Sequence, residues 1–552
     1  MRETAKNETN PAWQESFDVV VIGSGGAGLT AALTAARAGA SVVVLEKSAK
    51  LGGTTAISGG QVWAPNNHRM AELGLPDSYE GAREYLLRLV DGMTDPEVID
   101  AFLRHVPEVI RFIEANTPIE FQCCPALPDY RQELPGATKG GRTLDPKPVA
   151  AGPLGEWAEK IHIGPHFTPI TYLESEKWHA FAYPKNIDFE LVAERIMNDV
   201  RTLGAGLVTG LVKGCLDAGV RFETETPVKR LLKEGGKVTG VVAEKDGRPY
   251  AVEARLGVVL AAGGYDWNET YTKRYLRGPV EGPPSLPHNT GDALRMAMDA
   301  GADLANLNEA WWCPSIRIEG EEFEGKPAYR LTRGERSLPG TIMVNRAGKR
   351  FVNEAANYND ACKAFHFFDA VEYGYANLPA WIIFDAKYRA RYSLMTVMPG
   401  DPDPEWLPKA GSLRELAEQV GIDPEGLERT VERFNRYAAE GKDPDFHRGE
   451  SVYNWYYGDP EHEPNPCLGT IDTPPYYALR VYPGVLGTKG GPVTNAHAQV
   501  LDVNGDPIEG LYAAGNAAAS MMGPGYPGAG GTLGPALTFG YLAARHCVGR
   551  YP

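Results

Sequence analysis

The chain has 552 residues, 43% of them hydrophobic and 23% charged, with a formal net charge of −16. That length excludes a single small domain and predicts two or more. The acidic balance excludes a nucleic-acid surface, because phosphate contacts need clustered Lys and Arg.

The residues before Phe17 are polar and charged, which predicts no secretory leader. No apolar run of ~18 residues occurs outside the first glycine unit, so no membrane span is expected. A cytoplasmic compartment is the default, with peripheral membrane contact and oligomeric state left open. Val19 to Ile22 is a β-branched run suited to a buried parallel strand. Gly23-Ser24-Gly25-Gly26-Ala27-Gly28 follows as G-x-G-x-x-G: Gly23 for the tight turn, Gly25 for approach of a pyrophosphate, Gly28 for packing of helix on strand. Leu29 to Ala38 reads as a helix whose N-terminus aims N–H groups at phosphate. Ser41 to Leu45 is a second strand, closed by Glu46 and Lys47. Glu46 stands eighteen residues past Gly28, near the usual ~20 for a ribose-binding acid. Strand, glycines, helix, strand and acid in this order predict a dinucleotide site.

A second loop rich in glycine and hydroxyl groups comes next, with Gly53, Thr54, Thr55, Ser58, Gly59 and Gly60. Its small residues let backbone approach something flat. Ser78 to Asn116 reads as helix broken into pieces by Pro96 and Pro107. Pro125 to Pro148 reads as loop. Ala150 to Pro184 is aromatic without a clean period; a lid, an extra core and a membrane-contacting patch all fit it. Phe189 to Ala218 predicts a helix pair broken at Gly204-Ala205-Gly206. Strands follow at 220–224, 228–232 and 238–244, and Leu256 to Gly264 is a buried strand ending in small residues, Ala262 and Gly263 among them. Asp292, with Thr290 as the other candidate cap, precedes a helix at 293–300. From about residue 301 to 461 strands and helices mix, and 443–466 reads as an exposed excursion. Tyr476 to Val481, Gln499 to Asp502 and Gly510 to Asn516 read as strands, the last ending at Gly515 and Asn516. Gly531 and Leu533 open a last helix.

The run VVVIGSGGAGLTAALTAARAGASVVVLEK followed by GGTTAISGG resembles the FAD-binding start of the fumarate reductase and 3-ketosteroid dehydrogenase flavoproteins. The resemblance implies an α/β fold: a Rossmann-like FAD-binding domain (GR2-type) with an inserted α+β substrate-capping domain. The expected boundaries are 1–300 and 466–552 for the FAD domain and 301–465 for the insertion. It implies FAD as cofactor, with the glycine loops, Ala262, Gly263, Asp292, Gly515, Asn516, Gly531 and Leu533 around it. It also implies an external electron acceptor.

YPGAGGTLGPALTFGY closely resembles the corresponding loop of 3-ketosteroid Δ1-dehydrogenases. The Tyr526 phenol and the Gly530 N–H are two donors able to converge on one carbonyl oxygen, an oxyanion site. In that family a tyrosine after an N-E segment removes the C2 proton, which lands on Tyr358 past Asn353-Glu354. Tyr130 is the candidate relay. A phenol of ordinary pKa near ~10 is a poor base unless its anion is supported. The expected reaction is 1,2-desaturation of a 3-ketosteroid, with hydride passing to flavin N5. A Δ4-(5α)-dehydrogenase, a fumarate-type reductase and a non-catalytic flavin electron carrier are the alternatives. No arginine lies between Gly515 and Phe539, which disfavours a dicarboxylate. The seven cysteines are scattered without a C-x-x-C pair, and the histidines show no ligand spacing, so no metal is expected.

Overall fold

A computed structural model describes residues 12–165 and 167–549. The first glycine unit folds as expected into β1 (Glu15–Ile22), α1 (Gly26–Arg37) and β2 (Val42–Leu45). After a helical region the chain enters α2 (Leu203–Asp217), β3 (Arg221–Glu223), β4 (Val228–Glu234), β5 (Lys237–Lys245) and β6 (Arg248–Leu260). A second unit supplies β7 (Ala310–Phe323), β8 (Lys326–Leu331), β9 (Thr341–Asn345) and β10 (Ala380–Asp385). The chain ends with β11 (Tyr476–Thr488), β12 (Gln499–Leu501), β13 (Pro507–Ala513) and α3 (Leu533–Cys547).

The first sheet runs β12-β13-β6-β1-β2-β3, with β5 and β4 branching from β6. From β13 to β3 all pairs are parallel. Its strands are apolar on both faces because both are covered. Val19 and Val21 pack toward α1, α2 and α3, whereas Val20 and Ile22 pack toward β4, β5 and helix Asp292–Ala300. The alternation is the period of two of a strand, used here to fill two cores.

The second sheet, β8-β7-β11-β10-β9, is antiparallel. Its middle strand is β11, which sequence reading had placed with the return of the FAD domain. Tyr476–Thr488 is instead shared between β7 and β10. A strand's partner is set by distant register, not by its own residues.

Four local expectations are corrected. Pro107 does not break its helix: Pro96–Asn116 is continuous, held by buried Phe102, Val106, Val109, Ile110 and Ile113 along one face. The helix pair breaks at 198–202, ahead of the glycines, and Gly204 to Gly206 lie inside α2. A Cβ on Gly204 would sit 2.0 Å from the Thr55 carbonyl oxygen, so this glycine serves close approach to the second glycine loop. The 125–148 loop contains strand Thr143–Pro146, paired with Val62–Trp63 and Phe121–Cys123. The 443–466 stretch is packed in: Asp443 binds Arg350 at 2.7 Å, and Arg448 binds Glu354 at 3.2 Å, all four buried. Paired charge made it look solvated.

Asp145 on strand Thr143–Pro146 accepts the Leu173 N–H at 3.1 Å, while its other oxygen has no hydrogen-bond partner among the described residues. Burial pushes its carboxyl up to about 7 from 3.8. The native state therefore holds a proton that the unfolded chain releases, and stability should fall as pH rises from about 4 to about 7. Asp145→Asn should flatten that slope in melts of the FAD-bound protein. An unchanged slope would place the proton elsewhere.

Candidate active site

Two adjoining cavities lie along the carboxyl ends of the parallel strands. The first, of about 110 Å³, is the cradle built by the β1–α1 turn. Gly23 has φ +98, and a Cβ there would lie 2.5 Å from the Ala261 oxygen, which enforces the tight turn. A Cβ on Gly25 would have only Thr55 Oγ1 within 4 Å, at 3.7 Å, so its bare α-carbon faces the cavity. The N-cap of α1 is Gly25, which has no side chain to cap it, and Thr55 Oγ1 takes only the first N–H, that of Gly26, at 3.0 Å. Uncapped N–H groups at a helix start, beside a glycine that opens on a cavity, fit a pyrophosphate.

Gly26, Ala27, Glu46, Lys47, Gly53, Thr54 and Thr55 line this cradle from one side. Ala262, Gly263, Asp292, Gly515, Asn516 and Leu533 line it from the other. Glu46 is buried. It accepts from Ser24 N and Oγ at 3.0 and 2.7 Å, and from Ser48 N at 2.9 Å, and so fixes the loop it faces. Lys47 Nζ donates to Asp292 at 2.7 Å and to Thr290 at 2.8 Å. Neither Asp292 nor Thr290 caps the helix, whose N-cap is Gly291 at φ 82; both are recruited by Lys47 instead. Gly28 and Gly531 line neither cavity. Gly28 works by packing, since a Cβ there would lie 2.1 Å from the Gly23 oxygen. Ser24, Ser48, His162, His288 and Asn289 also line the cradle and carried no sequence signal. His162, His288 and Glu324, at the β7–β8 tip, bring three ligand-capable atoms within 4.8 Å of one another, a grouping that histidine spacing along the chain did not announce.

The second cavity, of about 340 Å³, shares Thr54, Thr55, Asn516 and Leu533 with the cradle. Ser58, Gly59, Gly60, Tyr130, Tyr358, Tyr526 and Gly530 open onto it. The three tyrosines, far apart in sequence, meet here. Tyr130 Oη donates to Tyr358 Oη at 3.1 Å. Ring centroids are 5.4 Å apart for Tyr358 and Tyr526, and 5.1 Å for Tyr130 and Tyr526.

Each tyrosine is held by its local structure. Tyr358 opens helix Tyr358–Lys363, which Asn357 caps through the Asp360 N–H. The Asn353-Glu354 segment before it is structural: Glu354 pairs with Arg350 at 2.7 Å. Tyr130 N donates to the Pro527 carbonyl at 2.9 Å, which ties its loop to that of Tyr526. Lys489 Nζ donates to the Gly523 and Gly525 carbonyls at 3.1 and 2.5 Å and fixes the approach to Tyr526. Tyr526 Oη lies 3.1 Å from Thr532 Oγ1. Gly530 has φ +88, and a Cβ there would lie 2.5 Å from Trp63 N. Its carbonyl accepts from Trp63 and Gly534, while its N–H has no acceptor among the described residues.

Burial pushes the Tyr358 phenol well above its ordinary pKa; Tyr130 and Tyr526 add to this, and Arg333 opposes it. Tyr130 and Tyr526 are raised by burial as well. All three rest as phenols, able to donate.

The aromatic 150–184 segment forms part of the wall. Tyr172 lines the cavity and shares a 2.5 Å contact with Tyr457 Oη, and Phe181 packs on both rings. Tyr172, Tyr457 and Arg333 were not read from sequence as site residues. Among the described residues, no helix is long and apolar enough to cross a membrane.

The sequence matches the FAD binding domain family over residues 18–533. It is 42% identical to 4-oxocyclohexanecarboxylate 2-dehydrogenase of Sinomonas cyclohexanicum, over 97% of this chain and 94% of that one. It is 41% identical to 3-oxosteroid 1-dehydrogenase of Mycobacterium tuberculosis H37Rv, over 96% and 98%. The fold superposes with a TM-score of 0.91 on 3-ketosteroid Δ1-dehydrogenase from Sterolibacterium denitrificans in complex with 1,4-androstadiene-3,17-dione, at 39% identity over 97% and 100% of the chains. The protein is an FAD-dependent oxidoreductase and belongs to the FAD binding domain family, in its 3-ketosteroid-dehydrogenase-like branch.

Proposed function

We propose that the protein desaturates a ring ketone beside its carbonyl, as in Δ1-dehydrogenation of a 3-ketosteroid. The observation that carries this reading is the meeting of Tyr130, Tyr358 and Tyr526 in one cavity with Gly530. Tyr526 Oη and the Gly530 N–H donate to the ketone oxygen, which acidifies the neighbouring C–H. Tyr358, reacting from its phenolate fraction, takes that proton and returns to the phenol, and Tyr130, in hydrogen-bond contact with it, relays the proton outward. FAD, when bound, supplies the hydride acceptor. An external electron acceptor would then take the two electrons from the cofactor. The two curated relatives described above are named for different substrates, but both names describe oxidation of a six-membered ring bearing a ketone.

A fumarate-type reading needs a cation set for two carboxylates. Two arginines, Arg330 and Arg333, line this cavity; Arg330 is tied to Glu321, and neither comes from the loop that carries Tyr526.

The test is anaerobic mixing of the yellow protein with 4-androstene-3,17-dione and with a saturated 3-ketosteroid, followed by identification of the product. Bleaching with a new 1,2 double bond is expected. Product from the saturated steroid alone, with a 4,5 double bond, would move the assignment to Δ4 chemistry. Persistent yellow colour with every ring ketone would leave an electron carrier.

A further inference from the structure

Among the described residues, Arg333 is the arginine of the 330–336 stretch with no hydrogen-bond or ion-pair partner for its guanidinium, whereas Arg330 pairs with Glu321. The next arginine, Arg336, is taken up by the backbone carbonyls of Thr332, Glu354 and Ala356. Arg448 is taken up by Glu354 and the carbonyls of Ser337, Leu338 and Thr341. Arg333 has no such set. The nearest acid in sequence, Glu335, turns its carboxylate to the backbone N–H groups of Arg333 and Met395, at 3.0 and 3.3 Å. Among the described residues, the Arg333 guanidinium makes no hydrogen bond or ion pair. Its contact is with an aromatic ring, 5.8 Å from guanidinium carbon to the Tyr172 centroid. It lines the same cavity as Tyr130, Tyr358, Tyr526 and Gly530.

A guanidinium stays charged at any working pH and presents a planar fork of donors matched to a carboxylate. Placed unpaired in an apolar, phenol-walled cavity, it is a standing electrostatic deficit that an incoming anion relieves. Its ring neighbour Tyr172 belongs to a run of phenols that reaches Tyr130: Tyr172 touches Tyr457, Tyr457 stacks edge-on with Tyr453 at 5.4 Å, and Tyr453 with Tyr130 at 5.0 Å. The cation therefore faces the same cavity as Tyr130, Tyr358 and Tyr526. We infer that Arg333 is a carboxylate-binding subsite, and that ring ketones carrying a carboxylate are the preferred substrates. The inference rests on the desaturation reading above and narrows its substrate class.

A rival role for Arg333 is to support the Tyr358 phenolate. The two roles part on a neutral substrate. The experiment compares anaerobic flavin reduction by 4-oxocyclohexanecarboxylate and by its methyl ester, in the wild type, Arg333→Leu and Arg333→Lys, each checked for FAD content. The wild type is expected to favour the acid in kcat/KM by roughly 30-fold or more, the size of a desolvated charge pair. Arg333→Leu should erase that ratio, and Arg333→Lys should keep part of it. Equal efficiency for acid and ester in the wild type, or a ratio unchanged in Arg333→Leu, would overturn the subsite and favour the rival. Binding is read separately by titrating cyclohexanecarboxylate, which has no ketone, against the flavin spectrum. Perturbation in the wild type but not in Arg333→Leu supports the subsite even if no ketone bleaches the flavin, a result that would sink desaturation alone. No perturbation in either protein counts against the subsite.

Discussion

Tyr358→Phe should hold FAD with an unchanged spectrum and lose about 10²–10⁴-fold in turnover, the range for removal of a general base. The substitution removes one oxygen and keeps the ring, so its edge contacts with Tyr130 and Tyr526 survive. The loss should fall on kcat rather than on substrate binding, because the proton is taken only on the way to the transition state. The wild type carries a second mark of the same role. Burial holds the phenol well above its ordinary pKa, so the phenolate fraction grows with pH across the neutral and alkaline range. Turnover of the wild type should climb with pH, and the residual activity of the phenylalanine variant should not follow that climb. Stopped-flow bleaching at several pH values reads both, and full activity in the variant would reassign the base.

Gly28→Val should give a protein without yellow colour. The position looks permissive, since it lines neither cavity. A Cβ there would nonetheless lie 2.1 Å from the Gly23 oxygen and 3.2 Å from the Ala261 side chain. To admit it, α1 must lift away from β1, and the helix start then leaves the cradle. Absorbance at the flavin band after purification, with far-ultraviolet circular dichroism to report folding, measures the outcome. A valine variant that retains flavin would mean the helix tolerates the shift and the turn, not the packing, holds the cofactor.

The parts that sequence revealed are those built from contiguous residues. The β1–α1–β2 unit carries its own periodicity, glycines and terminal acid, and it folds as read. The YPGAGG loop announces two donors within five residues. The missed parts are assembled across distance. Arg333 sits in a short T-R-G-E-R run that reads as an ordinary charged turn; only the fold shows that Arg336 is consumed and Arg333 is not. Tyr172, Tyr453 and Tyr457 have no motif, because a wall of phenols needs only aromatic bulk from whichever element passes by. The 443–466 stretch was misread for a related reason. Local composition records charge but not whether that charge meets its partner ninety residues away, as Asp443 meets Arg350.

The placement of β11 in the middle of the second sheet has a consequence for biogenesis. Until Thr488 has left the ribosome, β7 and β10 have no strand between them, although both were synthesised long before. The cap cannot close as an independent unit on a nascent chain, and its two exposed strand edges must wait for the return of the polypeptide. Chaperone demand and vulnerability to truncation should therefore concentrate in the interval between β10 and β11, well away from the residues that touch flavin.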